Sequence, residues 1–475
     1  MDVARLNFSH GSHEEALERI NRIKKVRDEL NIPVAILLDT KGPEVRIKDF
    51  KEGKVELKEG QKFTLCTDDV VGDENQVSIT YANLPNDVKV GSKILIDDGL
   101  IEMEVISVKN SKILCKVKNG GVVSNKKGVN VPNVALSMPY MSQKDIDDIL
   151  FGIEQDVDFI AASFVRTAND IREIKTLLRD NGGRDIRIIA KIENAEGVDN
   201  IDDIIRETHG IMVARGDMGV EIDMHDLPVL QKSLIKKTYR AGKVVITATQ
   251  MLDSMIRNPR PTRAEATDVA NAIYDGTSAI MLSGETAIGK YPVETVKTMA
   301  TIAERTENDI DYVKRLDRMN FDSRMDVTNA ISHATCTTAH DLHAAAIIAL
   351  TYSGGTAMQL SKFRPTCPII APTLSVKARR QLNLSWGVIP IMVEEKKNTD
   401  DLFDHVVNVA RDENLVKDGD LCVITAGVPL GISGTTNLLK VQLVGDVLVS
   451  GIGIGSGCVS ANLCVCSSNE EAIRE

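Results

Sequence analysis

The stretch IRIIAKIENAEGVDNIDDIIRETHGIMVARGDMGVE (186–221) sets the fold class. Two short apolar runs, Ile186–Ile192 and Ile211–Ala214, each end in charged residues and glycine. Apolar residues at helical spacing lie between them. A strand, a helix and a second strand in that order require parallel pairing, because only a crossover helix returns the chain to the same edge. The pattern recurs at Val3–Phe8, Val34–Leu38, Phe159–Phe164, Val244–Ala248 and Ala279–Leu282. The reading gives seven strands, whereas a closed (βα)8 (TIM) barrel takes eight. Either the missing strand belongs at the front, because the sequence begins inside a strand, or the sheet is not a closed barrel. Ser12/Glu15, Ser142/Asp145, Thr167/Asp170 and Thr262/Glu265 have the spacing of helix-opening capping boxes, and Gly276 follows the last of these helices.

The expected organisation is α/β: a barrel part over 1–46, an all-β insert over 47–137, the rest of the barrel over 138–308, a C-terminal α/β domain over 309–446, and a tail over 447–475. The insert alternates apolar and polar residues in KVELKEGQKFTL and SKILIDDGLIEMEVISV. The tail, with GIGIGSG (451–457), reads as strand and turn.

In such barrels the chemistry sits where strands end at their carboxyl side. Arg5, Asn7 and Ser9 alternate there, a cation and two oxygen ligands on one face, or else local caps for the next helix. Asp39, Thr40, Lys41, Gly42, Pro43, Glu44 and Arg46 end the next strand. Their oxygens, beside Asn7 and Ser9, suit a monovalent cation; a Gly-Pro turn is the alternative. Lys191 and Glu193 share a face, either as a structural ion pair or as a phosphoryl clamp beside a metal ligand. With Asp217 on the neighbouring strand, Glu193 suits a hard divalent cation such as Mg²⁺. Thr247, Thr249, Ser283 and Glu285 end the last strands; their hydroxyls either satisfy the backbone or bind a carboxylate and relay a proton.

GETAIGK (284–290) matches most of a phosphate-binding P-loop, but Tyr291 stands where Ser or Thr would hold the metal, and a P-loop is not expected. In the C-terminal part, TYSGGT (351–356) offers Thr351, Ser353, Gly354 and Thr356 between a strand and a helix as a phosphate nest, with Gly427–Thr436 facing it, or else both loops are simple chain reversals.

Composition excludes other classes. A net charge of −11 argues against a nucleic-acid surface, so anionic substrates need local cations. No apolar run reaches the ~20 residues of a membrane span, no signal segment opens the chain, and a cytoplasmic location is expected. The 8 cysteines are scattered, and Cys458, Cys464 and Cys466 lack metal-site spacing.

Taken in order, NFSHG (7–11), LDTKGPEVR (38–46), KGVNVP (127–132), KIENAEG (191–197), ARGDMGVE (214–221), TATQMLDSMI (247–256), RPTRAEATDVANA (260–272) and MLSGETA (281–287) resemble the pyruvate kinases over nearly the whole chain. The resemblance implies transfer of a phosphoryl group from phosphoenolpyruvate to ADP with Mg²⁺ (or Mn²⁺) and K⁺. It implies that Arg5 contacts the phosphoryl group and Lys191 stabilises it in transfer. Glu193 and Asp217 would hold Mg²⁺; Asn7, Ser9, Asp39 and Thr40 would hold K⁺, with Glu44 at the position that goes with K⁺ dependence. Arg46 and Lys127 would bind nucleotide phosphates, Lys127 from a lid. Gly216, Asp217 and Thr249 would seat the phosphoenolpyruvate carboxylate, and a water ordered by Thr249 and Ser283 would protonate the enolate. A homotetramer and a phosphorylated effector in the C-terminal domain are also implied. The family has one more strand before Arg5, and the tail is similar to the start of an extra domain in some bacterial members. Two other readings differ in kind. A Mg²⁺-dependent lyase on a similar barrel would need no ADP site, and an inactive chain would serve only in assembly.

Overall fold

The computed structural model describes residues 1–317, 326–396, 398–429 and 436–445. Strands β1 (Val3–Asn7), β2 (Ala35–Asp39), β3 (Phe159–Ala162), β4 (Arg187–Ile192), β5 (Gly210–Ala214), β6 (Val244–Ala248) and β7 (Ala279–Ile280) pair in parallel, in that spatial order. β2, β3, β5 and β6 are buried along their whole length, as parallel strands covered on both faces must be. The expected third strand is shorter than its apolar run because Phe164 turns at φ 53°, out of the extended region. The expected Ala279–Leu282 strand closes at Ile280. Among the described residues β1 and β7 remain the sheet's two edges, so the (βα)8-type barrel is drawn with seven strands.

Alternate residues divide the packing. Ile36, Leu38, Ile160, Ile188 and Val213 meet the surrounding helices. Leu37, Phe159, Ile189, Met212 and Ile246 fill the interior. Three of the four expected capping boxes form in full, at Ser142, Thr167 and Thr262. At Ser12 only the side-chain oxygen accepts from Glu15 N–H.

The insert after β2 is β-rich with its own core, centred on Phe63, Leu65, Ile94, Ile113 and Val117. One seven-stranded sheet carries it, together with the ribbon Lys54–Leu57 and Gly121–Ser124. The C-terminal part is a five-stranded sheet: β8 (Ala346–Ala349), β9 (Ile369–Thr373), β10 (Val388–Met392), β11 (Leu421–Ala426) and β12 (Leu438–Leu443), in the order β10-β9-β8-β11-β12. Only its β12 pairing is antiparallel.

This sheet's helix Val376–Leu382 docks on the barrel floor. The Asp158 carboxylate, fully buried, accepts from Ile36 N–H at 2.8 Å and Arg380 Nε at 2.6 Å. Gln381 Nε2 donates to the Asp158 and Asp185 carbonyls, and Leu384 joins the interior cluster from below. Removing one partner of a buried ion pair strands the other charge, at about 3–5 kcal/mol. Arg380→Met should therefore lower the urea midpoint by an amount equivalent to ~3 kcal/mol, with the first loss of signal in the C-terminal part. An unchanged midpoint would show that the pair does not hold the docking.

Candidate active site

Lys191 lies at the carboxyl end of β4, two residues past Ile189 and on the same inward face. Its Nζ is 3.1 Å from Asp39 Oδ1, 2.7 Å from Ser163 Oγ and 3.0 Å from Glu193 Oε1. Burial favours the neutral amine, but the Asp39 and Glu193 carboxylates outweigh it and hold Lys191 charged above the ordinary lysine range. Asp39 is 1% exposed. Burial raises its pKa, but Lys191 and Arg5, whose Nε donates at 2.6 Å, bring it below the usual carboxylate value. The β1–β2 register sets Asn7 directly beside Asp39, which places Arg5 in reach.

Glu193 is held differently. Its Oε2 accepts from Phe164 N–H at 2.5 Å, while the buried Oε1 touches Lys191 as an ion pair yet accepts no hydrogen bond. Burial drives its pKa up to about 7; Lys191 opposes that and the Asp217 carboxylate adds to it. Asp217 is raised as well, chiefly by burial, with Asp98 and Glu44 adding like charge. Two neighbouring buried carboxylates, each pushed up chiefly by burial, form an excess of negative charge that one cation would relieve. Among the described residues no three acidic, His or Cys side chains converge as a metal cage. Two carboxylates are nevertheless a sufficient protein share for Mg²⁺, which keeps waters and takes substrate oxygens.

Thr249 and Gly216 meet: Gly216 N–H donates to Thr249 Oγ1 at 2.8 Å, and that hydroxyl donates to Ala248 O at 2.6 Å. Thr249 sits at φ 71°, an uncommon region for a β-branched residue. Arg215 braces it, bonding Thr249 O at 2.7 Å and the Asp268 carboxylate at 2.6 and 2.7 Å. Thr247 takes the other reading: fully buried, it donates to Thr277 Oγ1. Ser283 N–H donates to Glu285 Oε2, while Glu285 Oε1 accepts from Leu252 N–H, so Glu285 ties two loops together.

The expected monovalent-cation oxygens are partly committed. Asn7 Oδ1 accepts from Ser9 N–H at 3.0 Å, and Thr40 Oγ1 accepts from Ser163 N–H and donates to Ala161 O. In the insert, Gly128 pairs with Arg46 across antiparallel strands. Arg46 Nη2 meets Glu44 Oε1 at 2.5 Å, and Lys127 Nζ meets Asp97 Oδ1 at 2.9 Å. Asn130 Nδ2 donates to Glu221 Oε1, tying the insert to the helix Arg215–Glu221 that carries Asp217.

GETAIGK folds as one helical turn, Gly284–Ala287. TYSGGT does form a turn above β8: Gly354 stands at φ 92°, its N–H donating to Thr351 Oγ1. Thr356 Oγ1 lies 3.0 Å from Thr436 Oγ1, and Ser353 O accepts from Arg187 Nη2 at 2.5 Å. Positions 430–435 of the facing loop, GIGIGSG and Cys458, Cys464 and Cys466 lie outside the described residues.

Sequence reasoning missed Ser163, Phe164 and the Arg215–Asp268 brace. Ser163 and Phe164 lay within an expected strand, and nothing in their spacing marks a turn. Arg215 and Asp268 are 53 residues apart.

Two family models match, "Pyruvate kinase, barrel domain" over residues 1–296 and "Pyruvate kinase, alpha/beta domain" over 329–442. A pyruvate kinase of Clostridium acetobutylicum is 53% identical over 445 residues, 94% of each chain. One from Geobacillus stearothermophilus is 52% identical over 474 residues, 99% of this chain and 81% of its own length. A crystal structure of a pyruvate kinase from Cryptosporidium parvum superposes with a TM-score of 0.90 at 38% identity, covering 94% of this chain and 91% of that one. With these matches running through both the barrel and the C-terminal sheet, the chain belongs to the pyruvate kinase family, a family of phosphotransferases.

Proposed function

We propose that the chain transfers the phosphoryl group of phosphoenolpyruvate to ADP, giving pyruvate and ATP, the last step of glycolysis. The observation that carries the residue roles is the buried Lys191 bridge between Asp39 and Glu193, beside the neighbouring carboxyl of Asp217, which burial also raises. Phosphoryl transfer is mainly positioning and charge neutralisation. Lys191 and Arg5 face the phosphoryl group in flight. Glu193 and Asp217 hold Mg²⁺ or Mn²⁺, which when bound neutralises charge on substrate oxygens. Asn7, Ser9, Asp39 and Thr40 hold K⁺. Gly216, Asp217 and Thr249 seat the carboxylate of phosphoenolpyruvate. Arg46 and Lys127 take the nucleotide phosphates, exchanging Glu44 and Asp97 for them as the insert closes. The enolate left behind takes its proton at carbon from a water ordered by Thr249 and Ser283.

The turn at Thr351, Ser353, Gly354 and Thr356 takes a phosphorylated effector. Arg187 supports that reading: it joins this turn to the lower end of the strand whose upper end carries Lys191. A cytoplasmic homotetramer completes the proposal; among the described residues no helix is long and apolar enough to cross a membrane.

ATP formation from phosphoenolpyruvate, ADP and Mg²⁺, with and without K⁺, tests the activity; no turnover under any of these conditions would refute it. Lys191→Met should lower kcat by on the order of 10³-fold, and also the thermal midpoint, because Glu193 loses its counter-charge. Retained turnover would remove Lys191 from its role. Glu44→Lys should abolish K⁺ stimulation; undiminished stimulation would count against the cation set.

The pH dependence has a definite sign. Glu193 ordinarily titrates at 4.5 and here at about 7. Between those values the folded chain holds a proton that the unfolded chain has lost, so this group's contribution to stability falls as pH rises through that window. A divalent cation must displace the same proton. Mn²⁺ should therefore bind more tightly at about pH 8 than at about pH 6, releasing protons at the lower value, and Glu193→Gln should flatten the difference. Equal affinity at both pH values would dissociate the pair from the metal.

A further inference from the structure

We propose that the crevice between the barrel floor and the C-terminal domain binds one inorganic anion of halide size, held by Arg364 and Ser385. The chain carries a net charge of −11, yet this crevice is lined by Lys243, Lys362 and Arg364 and by no carboxylate. Arg364 is 3% exposed. Its Nη2 donates to Gly276 O at 2.8 Å across the domain boundary, and its guanidinium lies 4.7 Å from the Trp386 ring. Its Nη1 is buried with no hydrogen-bond partner, and so is Ser385 Oγ, which lines the same crevice.

Charge makes the same point. Among the described residues no carboxylate lies within ion-pair distance of Arg364. Glu307, a carboxylate in the neighbourhood of Arg364, is engaged by Trp386 Nε1 at 2.9 Å. Arg315, stacked over Tyr239, adds a second guanidinium nearby. Lys243 spends its ammonium on backbone carbonyls, including Thr208 O at 2.6 Å, and forms no ion pair. A buried guanidinium stays charged, and burying it without a counter-charge is costly. A water would satisfy Nη1 and Ser385 Oγ but leave the charge uncompensated. The cavity is about 10 Å³, space for one water-sized body. A halide ion, somewhat larger than a water, would fill that space, whereas phosphate or sulfate would overfill it. Such an ion would tie the starts of β6 and β7 to the C-terminal domain, because Val244 and Ser278 line one side and Arg364 and Ser385 the other.

The test uses the full chain, with bromide as the probe. Crystals grown in sodium bromide should show an anomalous peak within hydrogen-bond reach of Arg364 Nη1 and Ser385 Oγ. At constant ionic strength, chloride or bromide should raise the thermal midpoint by a few degrees over gluconate. Arg364→Gln should abolish that difference, and Ser385→Ala, should the first variant not fold, should reduce it. A water-sized density without anomalous signal, or equal midpoints in halide and gluconate, would overturn the proposal.

Discussion

The Lys191 ammonium is the contact on which the site depends. It sits buried among Asp39, Ser163 and Glu193, residues that follow or end three different strands. Burying one charge is costly; here two carboxylates repay the cost, and each is oriented by further partners, Arg5 for Asp39 and the Phe164 N–H for Glu193. The bridge fixes the heights of β2, β3 and β4 relative to one another. Beside it, burial pushes the carboxyl groups of both Glu193 and Asp217 above their ordinary values.

The barrel floor repeats the design with the signs redistributed. Asp158 accepts from β2 and from Arg380, so the C-terminal domain supplies the counter-charge for a carboxylate inside the barrel. Leu384 completes the apolar interior. Arg187 runs through the same interface: β4 presents Arg187 below and Lys191 above, both on the interior face, with Ile189 between them. A strand paired on both sides is stiff, so the turn at Ser353 and the ammonium at the candidate site share one element.

Much of the site was readable because barrel chemistry concentrates at strand ends and strand faces alternate. KIENAEG placed Lys191 and Glu193 on one face, and GD placed Asp217 next door. The apolar run FIAASF was misleading at its end. The chain turns at Phe164 because Glu193 captures its N–H and Gly42 packs against Ser163, contacts with residues distant in sequence. Thr247 and Thr249 looked equivalent by alternation, yet one is tied to Thr277 and the other opens onto Gly216.

By itself the sequence determined the repeating βα order, the insert, the separate C-terminal sheet and the polar residues at each strand end. Those features follow from local periodicity and from the residue types that end strands. Tertiary structure decided which charges meet. The Lys191–Asp39, Arg215–Asp268 and Arg380–Asp158 pairs span 152, 53 and 222 residues. Burial then decided what those charges do, since the same glutamate that titrates ordinarily in water is driven to about 7 beside Asp217. Periodicity is a property of neighbours along the chain; charge neutralisation is a property of neighbours in space, and only the folded barrel brings them together.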